Sequence, residues 1–487
     1  MHIASERGLF SLCKFIADKN VVINPKRKDG FSAFHLAAQE GHLDVCQFFL
    51  SNINEKNPAD EDGWTPLLSA GHSGHLETYK CIAENLQDKN PALNDGKTAI
   101  HFATLEGRFE IVEYIIGNLQ DINPADDDAW TPLHVAAIHG RLEIYKYIAE
   151  NLSNKNPTLH DGHTALHLAA QEGDFEMCKL ILKNVEDKNP MNLNGRTPLH
   201  DAALSGHLEI YKCIAENLDN KNPALNSGKT ALHLAIKEGK IKIVEYIIGN
   251  VHEKDPADDI GYTPLHTATL HGHLEIFKLI LENVDNKNPS NNLSSRTPLH
   301  HAALNGHLEI CKLILQNVDD KNPSNLHGCT PLHDAAFSGH LEIYKCIAEN
   351  LLDKNPALNY GWTPLELAIK ERKFEIVEYI IENVQDKNSV ATPIYQAALK
   401  GDFEIFKLFA DNVEFDFTFL DICKAIIGGG DDPKPEIAAG RSSILDLITE
   451  KMQDGPLPRS NKQKEAENSD GFFKKLMDSI KNFGCLK

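Results

Sequence analysis

Apolar positions in this chain recur in a fixed order. A short run with small members, Leu199, Ala202 and Ala203, leads to Gly206. A second run, Ile210, Cys213, Ile214 and Leu218, follows at helical spacing. The pattern predicts two short helices divided by a glycine turn. Thr197 is placed to cap the first helix, because its hydroxyl can accept a free amide of the first turn. Pro198 suits the first helical position, where no amide donor is needed. Gly206 is expected to stop the helix in the left-handed conformation. Glu209, Lys212 and Glu216 fall on the far side of the second helix, where Lys212 can pair with either glutamate. Asn222-Pro223 and Gly228 then mark an extended loop or hairpin.

The order repeats. Thr65, Thr98, Thr131, Thr164, Thr197, Thr230 and Thr263 lie 33 residues apart, with Ser32 continuing the series upstream. Thr297 follows at 34, Thr330 and Thr363 at 33, and Thr392 at 29. One such unit cannot bury its apolar face, but stacked units seal each other, so stability is expected to be a sum over neighbours. A longer period overlies the first. The run beginning at Tyr79 returns at Tyr211 and Tyr344, and that beginning at Ile111 returns at Ile243 and Ile376. Blocks of four units have been duplicated.

The unit Thr197-Pro198-Leu199-His200, then Ala202-Ala203, then Gly206, resembles the ankyrin repeat over about residues 1–415. The resemblance implies an all-α repeat solenoid: stacked ankyrin repeats, each a helix-turn-helix with a projecting hairpin loop, and short C-terminal helices beyond. Departures occur. Asn283-Val284-Asp285 and Asn217-Leu218-Asp219 stand where the family ends its second helix with Gly-Ala-Asp, so Asn is expected to take the left-handed stop. Leu68, Glu366 and Tyr395 replace the family histidine, and Ala129 and Ser295 replace the loop glycine. The hairpin from Asn388 to Thr392 is four residues shorter than its counterparts.

Composition narrows the setting. The formal net charge of -21 argues against a nucleic-acid backbone as partner. No stretch approaches the roughly 18 apolar residues of a membrane span, and no signal peptide opens the chain. Cys46, Cys81, Cys178, Cys213, Cys311 and Cys346 lie in apolar helical segments and read as small buried side chains. This points to the reducing cytoplasm, with the nucleus as the other compartment; a monomer is expected. The expected organisation is a partial first repeat at 1–31 and about twelve units over 32–415. A helical cap at 416–455, a flexible linker at 456–470 and an amphipathic tail helix at 471–487 follow. Helices are expected over 415–427 and 442–452, with Gly428-Gly429-Gly430 as the break. Phe472, Leu476, Ile480 and Phe483 share one face of the tail, which would fold back on the protein or touch a partner or a membrane surface.

Catalytic, metal and cofactor chemistry finds no support. Gly96-Lys97-Thr98 and Gly228-Lys229-Thr230 lack the first glycine of a phosphate-binding loop. The resemblance implies that His35, His101, His134, His167, His200, His233, His266, His300 and His333 hold a structural slot, with hydrogen bonds near the capping Thr. His160, His163 and His167 are the nearest approach to a metal cluster, but His163 precedes the cap and should not share a face with His167. The acidic tips Asp60-Glu61-Asp62, Asp126-Asp127-Asp128 and Asp258-Asp259 read as solvated.

A non-enzymatic binding protein is the expected class. In the ankyrin family, partners contact the concave side formed by hairpin tips and first helices. Two slots face it: the residue before the Thr, and those after the Ala pair. They give the candidate partner-binding set Trp64, Leu105, Trp130, Ile138, Leu204, Tyr262, Leu270, Leu304, Phe337 and Trp362. The first reading is a scaffold or adaptor that holds a protein or peptide there. The second is an ankyrin regulatory or targeting segment of a larger channel, enzyme or ubiquitin-ligase receptor. The third is a membrane-associated protein anchored through residues 471–487.

Overall fold

The computed structural model describes residues 1–19, 22–359, 361–383, 391–412 and 435–454. The chain forms two compact units, Met1–Asp259 and Ile260–Lys487. In each, short helices come in packed pairs, such as Pro198–Ser205 with Leu208–Ala215, or Pro298–Asn305 with Leu308–Asn317. From Ala33 to Lys370, first helices within each unit approach their neighbours more closely than second helices do, because alanines such as Ala202 and Ala203 line the contact. Each unit therefore curves with its first helices and hairpins on the inner side.

The helix starts follow the predicted chemistry, with an addition. Thr197, extended at φ -122°, precedes Pro198, and His200 completes a reciprocal capping box. The Thr197 backbone amide donates to Nδ1 of His200 at 3.1 Å. An accepting Nδ1 leaves the proton on Nε2, which in several repeats donates to a carbonyl of the following repeat. His35 reaches Trp64 at 2.9 Å, His101 reaches Trp130 at 3.1 Å and His300 reaches Cys329 at 3.0 Å. One imidazole thus caps its own helix and ties down the next hairpin. Glu366 performs the capping half of this task with a carboxylate, accepting the Thr363 amide at 2.9 Å.

Gly206 ends its helix at φ 94°, as expected. Asn does not take over the second stop. Among the described residues, the non-glycine positions with positive φ are Ala129, Ser295 and Arg372, and the helix through Asn283 ends on Val284 in extended conformation. Side chains satisfy the last carbonyls instead. The Asn283 amide donates to Leu279 at 2.9 Å, and the Lys287 ammonium donates to the Leu281 and Val284 carbonyls. Lys56, Lys188 and Lys321 repeat this. The following Asn accepts the third-residue amide of the next repeat's cap: Asn189 from Leu199 at 3.2 Å, and Asn322 from Leu332 at 3.1 Å. The recurrent Lys-Asn-Pro therefore closes one helix and opens the next. Ala129 and Ser295 hold the hairpin glycine's conformation at φ 65° and 56°, at roughly 1 kcal/mol each.

Most successive hairpins are tied at their tips by a backbone bond. Asp127 donates to Asp95 at 3.0 Å, Leu193 to Asp161 at 2.9 Å and Leu326 to Ser294 at 3.1 Å. The residue after the glycine turn supplies a further tie. His42 meets the Glu6 carbonyl at 3.0 Å, and Arg141 donates to Leu105 at 3.1 Å. Replacing Thr297 with alanine should cost about 1 kcal/mol. Hydrogen exchange should rise over Pro298–Asn305 and its neighbour Pro331–Ser338 while Phe374–Asn383 stays unchanged; uniform loosening would contradict neighbour-by-neighbour stability.

The helix expected at 442–452 lies within a longer one, Pro435–Asp454. The expectations for 415–427, the glycine break, the 388–390 part of the short hairpin, the linker and the tail lie outside the described residues. Cys46, Cys178 and Cys311 are buried, but Cys81, Cys213 and Cys346 are only half-buried, because they lie toward the outer face of the second helices.

Candidate functional site

The inner face of the first unit carries a cavity of about 290 Å³. Trp130, Leu105 and Ile138 line it, together with Phe102, Val135, Lys97, His101, His139, Asp126 and Asp128. The hairpin places the indole. Asp126 is 7% exposed, and its carboxylate accepts the amides of Asp128 at 3.0 Å and Trp130 at 2.8 Å. Asp60 does the same for Trp64, at 2.7 Å. The first aspartates of these tips are therefore turn-formers rather than solvated charges, and Asp258 is likewise buried. Glu61, Asp62, Asp127, Asp128 and Asp259 remain exposed.

A second cavity of about 250 Å³ is lined by Phe31, Gln39, Trp64, Ser69, His72 and Ser73. The Trp64 indole donates to Ser69 Oγ at 2.8 Å, and its ring meets Phe102 with centroids 4.7 Å apart. Phe102 also lines the larger cavity, so the two aromatic sites are contiguous. Electrostatics set their rim. Lys97 pairs with Asp95 at 2.6 Å and approaches Asp126 at 3.8 Å. Its ammonium pKa is raised, chiefly by the bond to Asp95. Burial lowers the pKa of His101, which favours its neutral form.

The other predicted residues are dispersed. Leu204 is half-buried in the first unit. In the second unit, Tyr262 packs against His266 and His301, with centroids 5.2 and 5.5 Å away. Leu270 and Phe337 are exposed, Leu304 is half-buried, and Trp362 lies 5.2 Å from the Lys370 ammonium. Of the ten, the structure brings together Leu105, Trp130 and Ile138, with Trp64 adjoining through Phe102.

Sequence reasoning missed three groups. The fourth residue after the Thr also faces inward. Asp201 and Asp334 occupy that slot, buried, and pair with Arg196 and Arg296. Burial pushes both carboxyls up to about 6, against the arginines. The fourth residue before the Thr is the hairpin tip, where Leu193 is 71% exposed in the first unit. In the second, Leu293 is 70% and Leu326 61% exposed. Their extended tips between aspartates and asparagines gave the only signal. Lys97 and Asp126, the polar wall of the cavity, were the third.

The histidines tempt but do not cluster for a metal. His163 pairs with Asp161 at 2.8 Å, while His167 faces the next hairpin's Arg196 carbonyl at 3.1 Å. Groups of three or more ligand side chains placed for a metal ion are absent among the described residues. No helix among them is long and apolar enough to cross a membrane.

A family model for ankyrin repeats in three copies matches residues 1–92, 79–159, 148–223, 213–291, 284–357, 319–391 and 345–421. The chain belongs to the ankyrin-repeat family. Its capping histidines, glycine stops and hairpins are those of ankyrin repeats, and ankyrin repeats as a class are protein-interaction modules, typically without enzymatic activity. No curated protein matches the chain.

Proposed function

We propose that this ankyrin-repeat protein is a scaffold or adaptor that holds a protein or peptide segment on its inner face. The Trp130 cavity of the first unit serves as the principal anchor site. The observation that supports this reading is the combination of a recess of about 290 Å³ with a half-buried indole, fixed from behind by the Asp126 carboxylate. A rigid aromatic beside an apolar recess is what binding hot spots are made of. Leu105, Ile138 and Phe102 supply apolar walls for an inserted side chain. Lys97 and Asp128 supply polar groups that can fix a backbone. Trp64 extends the surface toward the preceding repeat.

The test is affinity capture from native lysate with crosslinking mass spectrometry, comparing wild type with Trp64→Ala/Trp130→Ala/Trp362→Ala. A partner should crosslink to the hairpins and first helices and be lost from the folded variant. Trp130→Ala alone should weaken that partner by about 2 kcal/mol, roughly 30-fold in Kd. Retention of the same partners at the same affinity would reduce these aromatics to packing between hairpins.

A further inference from the structure

Adjacent second helices meet at a fixed register. The residue five after the glycine turn of one repeat faces the residue seven after the turn of the next. Where both are tyrosine, the rings pack edge-on with centroids 5.9 Å apart, as in Tyr79–Tyr114, Tyr211–Tyr246 and Tyr344–Tyr379. One repeat earlier in each block, the same two positions hold cysteines: Cys46 and Cys81, Cys178 and Cys213, Cys311 and Cys346. In every pair the first thiol is buried and the second half-buried, and all six are free. The residues around the first cysteine have drifted between copies. They read Val45-Cys46-Gln47, Met177-Cys178-Lys179 and Ile310-Cys311-Lys312. Each block nonetheless retains both thiols in facing positions. At Cys311 and Cys346 the two thiols lie close enough to shift each other's ionisation in opposite directions.

We propose that Cys311 and Cys346 form an oxidation site, closing a disulfide between two neighbouring repeats in exchange with a low-molecular-weight disulfide. Cys346 is the nucleophile. It is the more exposed of the two, and the facing Cys311 thiol holds its own thiol below the ordinary range. The facing Cys346 thiol, together with burial, pushes the Cys311 thiol up, which suits a resolving thiol that acts second. The Cys346 thiolate attacks one sulfur of oxidised glutathione. The glutathione S–S bond breaks, one glutathione leaves as the thiolate, and Cys346 carries a mixed disulfide. Cys311 then attacks the Cys346 sulfur, gives up its proton and displaces the second glutathione. Two protein thiols are oxidised and one glutathione disulfide is reduced to two thiols. The product joins helices Leu308–Asn317 and Leu341–Ala348 of adjacent repeats.

The experiment treats the full chain with oxidised glutathione, alkylates the remaining thiols, and maps the unreduced digest by mass spectrometry. The expected product is a peptide pair carrying Cys311 and Cys346 joined, lighter by two hydrogens than its parts. In Cys311→Ser, checked for native circular dichroism, the glutathione adduct should instead persist on Cys346; Cys311→Ala serves should the serine variant not fold. Wild-type protein in which Cys346 stays alkylated as a free thiol, or keeps its adduct beside a free Cys311, would overturn the proposal.

Discussion

Lowering the pH from neutrality to about 4.5 is expected to remove much of the stability of both units. The cause is the capping histidine. Burial depresses His134, His200, His300 and His333 to about 4, and His167 to about 3. His301, packed near Tyr262 and His266, is also at about 3. Each must be neutral to keep its fold. An accepting Nδ1, as in His300, cannot hold the Thr297 amide once protonated. Because the folded values lie below the unfolded value near 6.5, the stabilisation is complete above pH 6.5. It is lost as pH falls toward 4. At about pH 4.5 each of these histidines withdraws on the order of 2 kcal/mol. Asp201 and Asp334 act in the opposite sense. Their carboxyls, raised to about 6, bind protons more strongly folded than unfolded. They therefore add stability as pH drops from 6 toward the usual carboxylate range. Two such groups do not offset six histidines. Urea unfolding followed by circular dichroism at stepped pH should show the midpoint falling between pH 6.5 and 4. A midpoint flat across that window would mean that these imidazoles are not held neutral.

That histidine was legible in the sequence as a slot, and the resemblance assigned it hydrogen bonds near the cap. The fold was legible for the same reason: a 33-residue period with Thr, Pro, Ala-Ala and Gly at constant offsets leaves few other ways to bury its apolar stripe. Interactions without periodic apolar content were not legible. Nothing in Lys-Asn-Pro announces that the lysine folds back over the preceding helix end while the asparagine reaches ten residues ahead to Leu199 or Leu332. The expected left-handed asparagine failed on this point, since a helix end served by an ammonium needs no special φ. At the site, Trp130, Leu105 and Ile138 followed from two slots of the repeat, whereas Phe102 and Val135 stand in the unread slot four residues after the Thr. Asp126 did not, because a buried turn-forming carboxylate and a solvated one look alike in an acidic tip. Asp201 was hidden similarly: its burial depends on Arg196, five residues upstream, lying across it.

Gly440→Ala is expected to undock the helix Pro435–Asp454 from the two helices beneath it, Ala391–Lys400 and Phe403–Asn412. Sequence pattern alone suggests the reverse, since alanine in a helix interior is favoured over glycine by about 1 kcal/mol. The packing decides otherwise. A Cβ on Gly440 would lie 1.9 Å from the Gly401 carbonyl oxygen and 2.8 Å from its carbon. Gly401, at φ 68°, would in turn place a Cβ 2.5 Å from the Ile437 oxygen. Both obstacles are backbone, so no flexible side chain can yield, and the helix must lift. Lifting exposes Ile444 and Ile448, now fully buried. It also withdraws Arg441 from the Leu399 carbonyl, which its guanidinium reaches at 3.0 Å. That bond has the form by which Arg141 and His42 tie one repeat to the preceding one, so the helix docks as a further repeat's second helix would. The loss should exceed the propensity gain, by the roughly 1–3 kcal/mol typical of overpacking together with the re-exposed isoleucines. Hydrogen exchange should accelerate across 441–450 and over Phe403–Asn412, with the repeats before 383 unchanged. Protection that holds or increases in Gly440→Ala would mean that the helix does not seat backbone-to-backbone on Gly401.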